Sequence, residues 1–239
     1  MSVVEIRSSQ SVPAHAFQPG DELRVHHAVR QAADEFASGR GDSFLVQEFA
    51  GPFGRADFVL AFPLNSRLDA RRSSELRPLR VMAEARLVAA LSGRYARAVD
   101  EVAARAGMTP SSVARTAREL AATGHVFILS DGRLRRHAAL APVVRTAAYE
   151  AKVKEWQSAL RQARHYALWN RWSTVVLETA RNRPDLVAEA RRHGLGVVVA
   201  GRSLTAARVQ RVPAYLRLMA SESMLDATDM LGECSKDCQ

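Results

Sequence analysis

The segment AAYEAKVKEWQSALRQARHYALW, residues 147–169, decides how the chain is read. An apolar, strand-like run over 143–152 passes into a long amphipathic helix over 154–170. Glu150 and Lys152 stand two apart in that strand, and side chains at i and i+2 project from the same face. Two opposite charges so placed are either an incidental surface ion pair or two parts of one site.

The 239 residues suffice for one large domain or two small ones. With 47% hydrophobic and 25% charged residues the composition is that of an ordinary globular protein. No run of 18 apolar residues occurs, and MSVVEIRSSQSVPAHAF lacks the pattern of a leader, so the expectation is a cytoplasmic, nucleoid-associated protein with no membrane partner. Cys234 and Cys238 are the only cysteines, so no disulfide framework is expected. The net charge of +9 rests almost wholly on arginine, with Lys152, Lys154 and Lys236 the only lysines. Such a balance favours a polyanionic partner, most simply nucleic acid.

Outward from the opening segment, residues 22–39 carry a helical stripe, and 43–49 and 55–62 read as two strands joined through Gly51, Pro52 and Gly54. The stretch 63–78 has no clear period and reads as a connection. Residues 79–93 read as a helix, followed by a short helix, a turn at Gly107-Met108-Thr109 and a helix from Pro110. A basic hairpin then turns on Asp131-Gly132. That order is the order of a winged helix-turn-helix. Beyond the opening segment, a strand at 173–178, a helix at 184–193 and a strand at 195–201 imply an α/β layer. A last helix is expected over 212–231, with a mobile tail.

Asp57 ends the tetrapeptide GRAD on the second strand, and Glu150-Ala151-Lys152 lies on the third. The order D…E-x-K on adjacent strands resembles the PD-(D/E)XK nuclease superfamily. Glu22 at the start of the first helix matches the place where many members carry an extra acid. Gln162 and Tyr166 look like the Q-x-x-x-Y signature of its RecB-like members, and their spacing of four places both on one helical face. Asp57 and Glu150 are 93 positions apart. Removing 65–140 leaves about 17 residues, a normal connection between neighbouring strands. Ala56 stands where the family pattern has proline. The expected fold class is therefore α/β: a restriction-endonuclease-like mixed sheet flanked by helices, with an inserted winged helix-turn-helix. Its core would comprise 1–64 and 141–211, the insert 65–140, and the C-terminal helix and tail 212–239.

The resemblance implies a metal-dependent phosphodiesterase using Mg²⁺ or Mn²⁺. Asp57, Glu150 and the backbone carbonyl of Ala151 would be metal ligands, since hard oxygens suit such ions. Lys152 would orient or deprotonate the attacking water and offset developing charge. Glu22 would serve a second metal or a metal-bound water, and Gln162 and Tyr166 would touch phosphate or the site residues. In the insert, Ser111, Ser112, Arg115 and Arg118 on the second helix and Arg133, Arg135 and Arg136 in the wing are the expected contacts to double-stranded DNA. Residues 78–140 hold ten arginines against five acids, which puts more than half of the net charge there. Two other readings stay open: a transcriptional regulator whose nuclease-like fold serves DNA binding or homodimerisation, and a restriction or phage-defence component working with a partner.

Overall fold

The computed structural model describes residues 4–7, 19–40, 42–63 and 65–234, with side-chain surroundings within 25–40, 42–63 and 67–227. In chain order the elements open with β1 (Val4–Arg7), α1 (Pro19–Ala37), β2 (Phe44–Gly51) and β3 (Gly54–Pro63). There follow α2 (Asn65–Arg72), α3 (Met82–Ala90), α4 (Val99–Ala106), α5 (Pro110–Ala121), β4 (Val126–Ile128) and β5 (Leu134–Arg136). The chain continues with β6 (Val144–Lys152), α6 (Trp156–Tyr166), β7 (Trp172–Leu177) and α7 (Arg183–His193). It closes with β8 (Gly196–Val199), β9 (Arg202–Thr205) and α8 (Ala214–Cys234). The protein is mixed α/β and divides into two units. The first is drawn from Met1–Pro63, Arg145–Val212 and Ala227–Gln239, the second from Leu64–Val144 and Pro213–Asp226.

The first unit is built on a seven-stranded sheet ordered β1-β2-β3-β6-β7-β8-β9. The β2–β3 hairpin is antiparallel, β6, β7 and β8 run parallel, and β9 turns back against β8. The interior strands β3, β6, β7 and β8 are largely apolar because both faces are covered. On β7, Val176 packs with α1 (Val25, Val29, Ala33) and with Phe58, Leu60 and Tyr149. Its neighbours Val175 and Leu177 pack instead with α6 and α7 through Ala159, Ala163, Leu186 and Ala190. Alternate residues face opposite ways, so α1 lies on one face and α6 and α7 on the other. β6 thus stands in the interior of the sheet, between β3 and β7.

In the second unit α4 ends on Gly107, whose φ of 61° is the left-handed turn that a glycine adopts without strain. Thr109 then caps α5, accepting the Ser112 N–H at 3.2 Å, with Pro110 in the first turn. Leu87, Val102, Val113, Leu120, Val126, Leu134 and Leu218 form its core.

Besides β1, for which no strand is expected, three elements depart from the expectation. Residues 65–72, read as connection, form α2. Strand 195–201 is shorter, and a turn at Ala200-Gly201 leads into β9. The second unit takes in Pro213–Asp226 as well as the expected insert. The reason for the first and third is one interaction. Arg71, 3% exposed, donates from Nε and Nη2 to Glu222 at 3.0 and 2.7 Å and from Nη1 and Nη2 to the carbonyls of Leu76 and Arg77. Glu222, 1% exposed, also accepts the Leu79 N–H at 3.1 Å. The inward residue of α2 is therefore charged, which removes the apolar stripe that would betray a helix.

Removing either partner strands the other charge in the interior. Arg71→Ala and Glu222→Ala should each lower stability by about 3–5 kcal/mol in denaturant melts. Arg80→Ala, whose pairing with Asp226 at 3.4 Å is exposed, should cost under about 1 kcal/mol in the same assay.

Candidate active site

Glu150 settles the question its sequence position raises, for its side chain has no exposed surface. It is not half of a solvated pair at a sheet edge. Lys152, one-third exposed, places Nζ 3.0 Å from Glu150 Oε1. The i, i+2 spacing on β6 sets that contact. From β3, Asp57 Oδ2 accepts the N–H of Ala151 at 2.8 Å, so the two acids are tied to consecutive residues of one strand. The Tyr166 hydroxyl, from the last turn of α6, lies 2.8 Å from both Glu150 Oε2 and the Arg55 carbonyl oxygen.

Tyr166 has one proton for these two acceptors. A proton on Glu150 Oε2, donated to the phenol oxygen while the phenol donates to Arg55, would complete the set. The electrostatics agree. Burial, and then the Asp57 charge, push Glu150 up to about 7, against the opposing pull of Tyr166 and Lys152. Burial and the Glu150 charge likewise raise the Tyr166 hydroxyl, with Glu48 contributing, so the phenol stays a donor.

The remaining expected residues divide. Gln162, one turn before Tyr166, is half-buried with Oε1 enclosed and without a hydrogen-bond partner. Glu22 lies in the first part of α1, and its side chain is outside the described residues. In the second unit Ser111, Arg115 and Arg118 are exposed on α5, and Ser112 is half-buried beside its cap. Arg118 returns Nε to the Ala114 carbonyl at 3.2 Å. Arg133 pairs with Asp131 at 2.7 Å, and Arg135 lies over the Phe127 ring at 5.3 Å. Arg136 corrects the expectation of an outward wing residue. It donates to the Leu91, His137 and Leu140 carbonyls, and burial pulls its basicity down, so its charge is spent inside the unit.

Two features were not anticipated. Glu48 has a φ of +54° within β2, in register with Asp57 where the β2–β3 ladder is interrupted, and lies 3.7 Å from Arg55. Arg55 was visible in GRAD, but nothing in the spacing of Glu48 announced a left-handed residue. Gly51 admits no side chain, because a Cβ there would fall 2.3 Å from the buried Trp169 ring.

Two carboxylates and a carbonyl are the donor types that a hard cation takes. Asp57 raises Glu150, meaning that two negative charges converge at a partly desolvated place, and the Ala151 carbonyl lies between Glu150 and Lys152 in the chain. Among the described residues no group of three His, Cys, Asp or Glu side chains is arranged to hold a metal. An ion here would take two carboxylates and a carbonyl and leave other positions to water or substrate, the habit of Mg²⁺. Among the same residues no helix is long and apolar enough to cross a membrane.

A group whose acidity is weakened by folding stabilises the protein fully below its unfolded value and loses that contribution as pH rises through its folded one. Between about pH 4.5 and 7, metal-free protein should therefore lose up to about 3 kcal/mol relative to Glu150→Gln, read from paired denaturant melts. Comparison of the chain with protein-family models, curated proteins and solved structures returns no match.

Proposed function

We propose that the protein is a Mg²⁺- or Mn²⁺-dependent phosphodiesterase acting on double-stranded DNA. In this reading the first unit is a restriction-endonuclease-like core and the second a winged helix-turn-helix that positions or selects the duplex. The observation that supports it best is the Asp57 hydrogen bond to Ala151, which ties an acid on β3 to the strand carrying the buried Glu150 and Lys152.

Asp57, Glu150 and the Ala151 carbonyl would hold the ion, which when bound supplies Lewis-acid polarisation of a phosphate and neutralises the two acids. Tyr166 fixes the rotamer of Glu150 by bridging it to the backbone of Arg55. Lys152 reaches from Glu150 toward solvent and would orient the attacking water there and offset charge on the phosphate oxygens. The exposed Arg115 and Arg118 would contact the duplex from α5, with Arg135 lending general affinity.

A second reading, a regulator that binds DNA without cutting it, is favoured by the pairing of Glu150 with Lys152 and Tyr166, which answers the acid's charge within the protein. Incubation with supercoiled, linear and single-stranded DNA in Mn²⁺ or EDTA separates the two. Mn²⁺ should raise the melting temperature through ligand linkage. Asp57→Ala and Glu150→Ala should abolish that rise, whereas Lys152→Ala should keep it and lose cleavage. Absence of both the rise and any Lys152-dependent cleavage would leave the regulator.

The DNA contacts have their own expectation. Arg115→Ala and Arg118→Ala should each weaken duplex binding by about 1–3 kcal/mol. Arg136→Ala should lower the melting temperature and leave the salt dependence of binding unchanged.

A further inference from the structure

Arg55 is a site-adjacent cation whose backbone is fixed while its charge is loosely held. Its carbonyl accepts from Tyr166, whose hydroxyl also touches Glu150, so the backbone of Arg55 is registered on the buried acid. It lies two residues before Asp57 on an unbroken strand and so shares its face, while Ala56 and Phe58 between and beyond them are fully buried. The guanidinium meets Glu48 at 3.7 Å, with 35% and 50% of the two side chains exposed. A pair so open and so long is weak and exchangeable. Arg71 is the contrast, its guanidinium consumed by Glu222 and two carbonyls out of reach of solvent.

Glu48 bears the marks of a residue placed for that pairing. A φ of +54° is costly for a glutamate, and it occurs where β2 stands opposite Asp57. Glu48 is also close enough for its charge to bear on the Tyr166 hydroxyl. An acid at this point repels a polyanion and, at the same time, occupies the cation that would attract one.

We infer that Arg55 is a phosphate-binding position beside the site, taking one backbone phosphate of the nucleic acid, and that Glu48 holds it in reserve until that phosphate arrives. This rests on the nuclease reading for its choice of ligand. The exchange forms and breaks no covalent bond: the guanidinium leaves one carboxylate for one phosphodiester oxyanion, with which it can make two parallel N–H···O bonds. Arg55 is a substrate-binding residue in this account and Glu48 a positioning one.

The test measures binding of a fluorescein-labelled duplex to the full chain over a salt series, in EDTA and in Ca²⁺, for Arg55→Ala, Glu48→Gln and the double variant. Arg55→Ala should weaken binding about fivefold and reduce the slope of log affinity on log salt by about one. Glu48→Gln should tighten binding about threefold. That gain should vanish in the Arg55→Ala background, because it works through the released guanidinium; loss of a general repulsion would persist. A wild-type salt slope in Arg55→Ala, or an undiminished Glu48→Gln gain in the double variant, overturns the inference. The Mn²⁺-induced melting shift reports Asp57 and Glu150 and should be unchanged in all three variants. Failure of the nuclease reading therefore appears there, and failure of the Arg55 assignment in the salt slope.

Discussion

An ionised carboxylate without exposed surface costs several kcal/mol unless its surroundings answer it. Glu150 has no exposed surface, and burial with the Asp57 charge pushes it up to about 7, so a shared proton and its neighbours answer that cost together. The E-x-K spacing brings Lys152 back along the same face, α6 ends where Tyr166 can reach the other oxygen, and β3 sets Asp57 on the adjacent amide. Take Glu150 away and these contacts have no common purpose. The Tyr166 ring would still pack on Trp169, but its hydroxyl would keep only the Arg55 carbonyl.

That arrangement also explains which parts could be read in advance. The Glu150/Lys152 pair and the Gln162/Tyr166 pair depend on strand and helix periods, which a sequence displays directly. The Asp57 contact depends on a neighbouring strand 94 positions away, and was legible only because the intervening segment looked like a unit of its own. α2 was not legible, since its buried side is Arg71, and a guanidinium satisfied by a distant carboxylate looks like surface. Glu48 escaped for a different reason: nothing local specifies its left-handed backbone, which tertiary context must impose. Arg136 reads like Arg135 in the sequence because adjacent arginines look alike until one finds three carbonyls to satisfy.

The two units solve the problem of charge in contrasting ways. The second encloses Arg71 and Glu222 completely and gains a fixed geometry. The first encloses one acid but leaves Lys152 and Arg55 each about one-third exposed. Rigid and exchangeable ion pairs thus occur in one chain, and what separates them is access of water.

The Arg71–Glu222 contact spans 151 positions of sequence. During synthesis the ribosome delivers α3, α4, α5 and the β4–β5 hairpin long before Glu222 and Leu218 emerge, so the second unit waits with an unanswered guanidinium and an incomplete core. Strands β1–β3 of the first unit precede that interval, and β6–β9 are made within it. The segment proposed to hold DNA therefore cannot close its core until α8 is made, when every strand of the first unit already exists, and a polypeptide truncated before α8 would carry the residues of the proposed site without its finished reader.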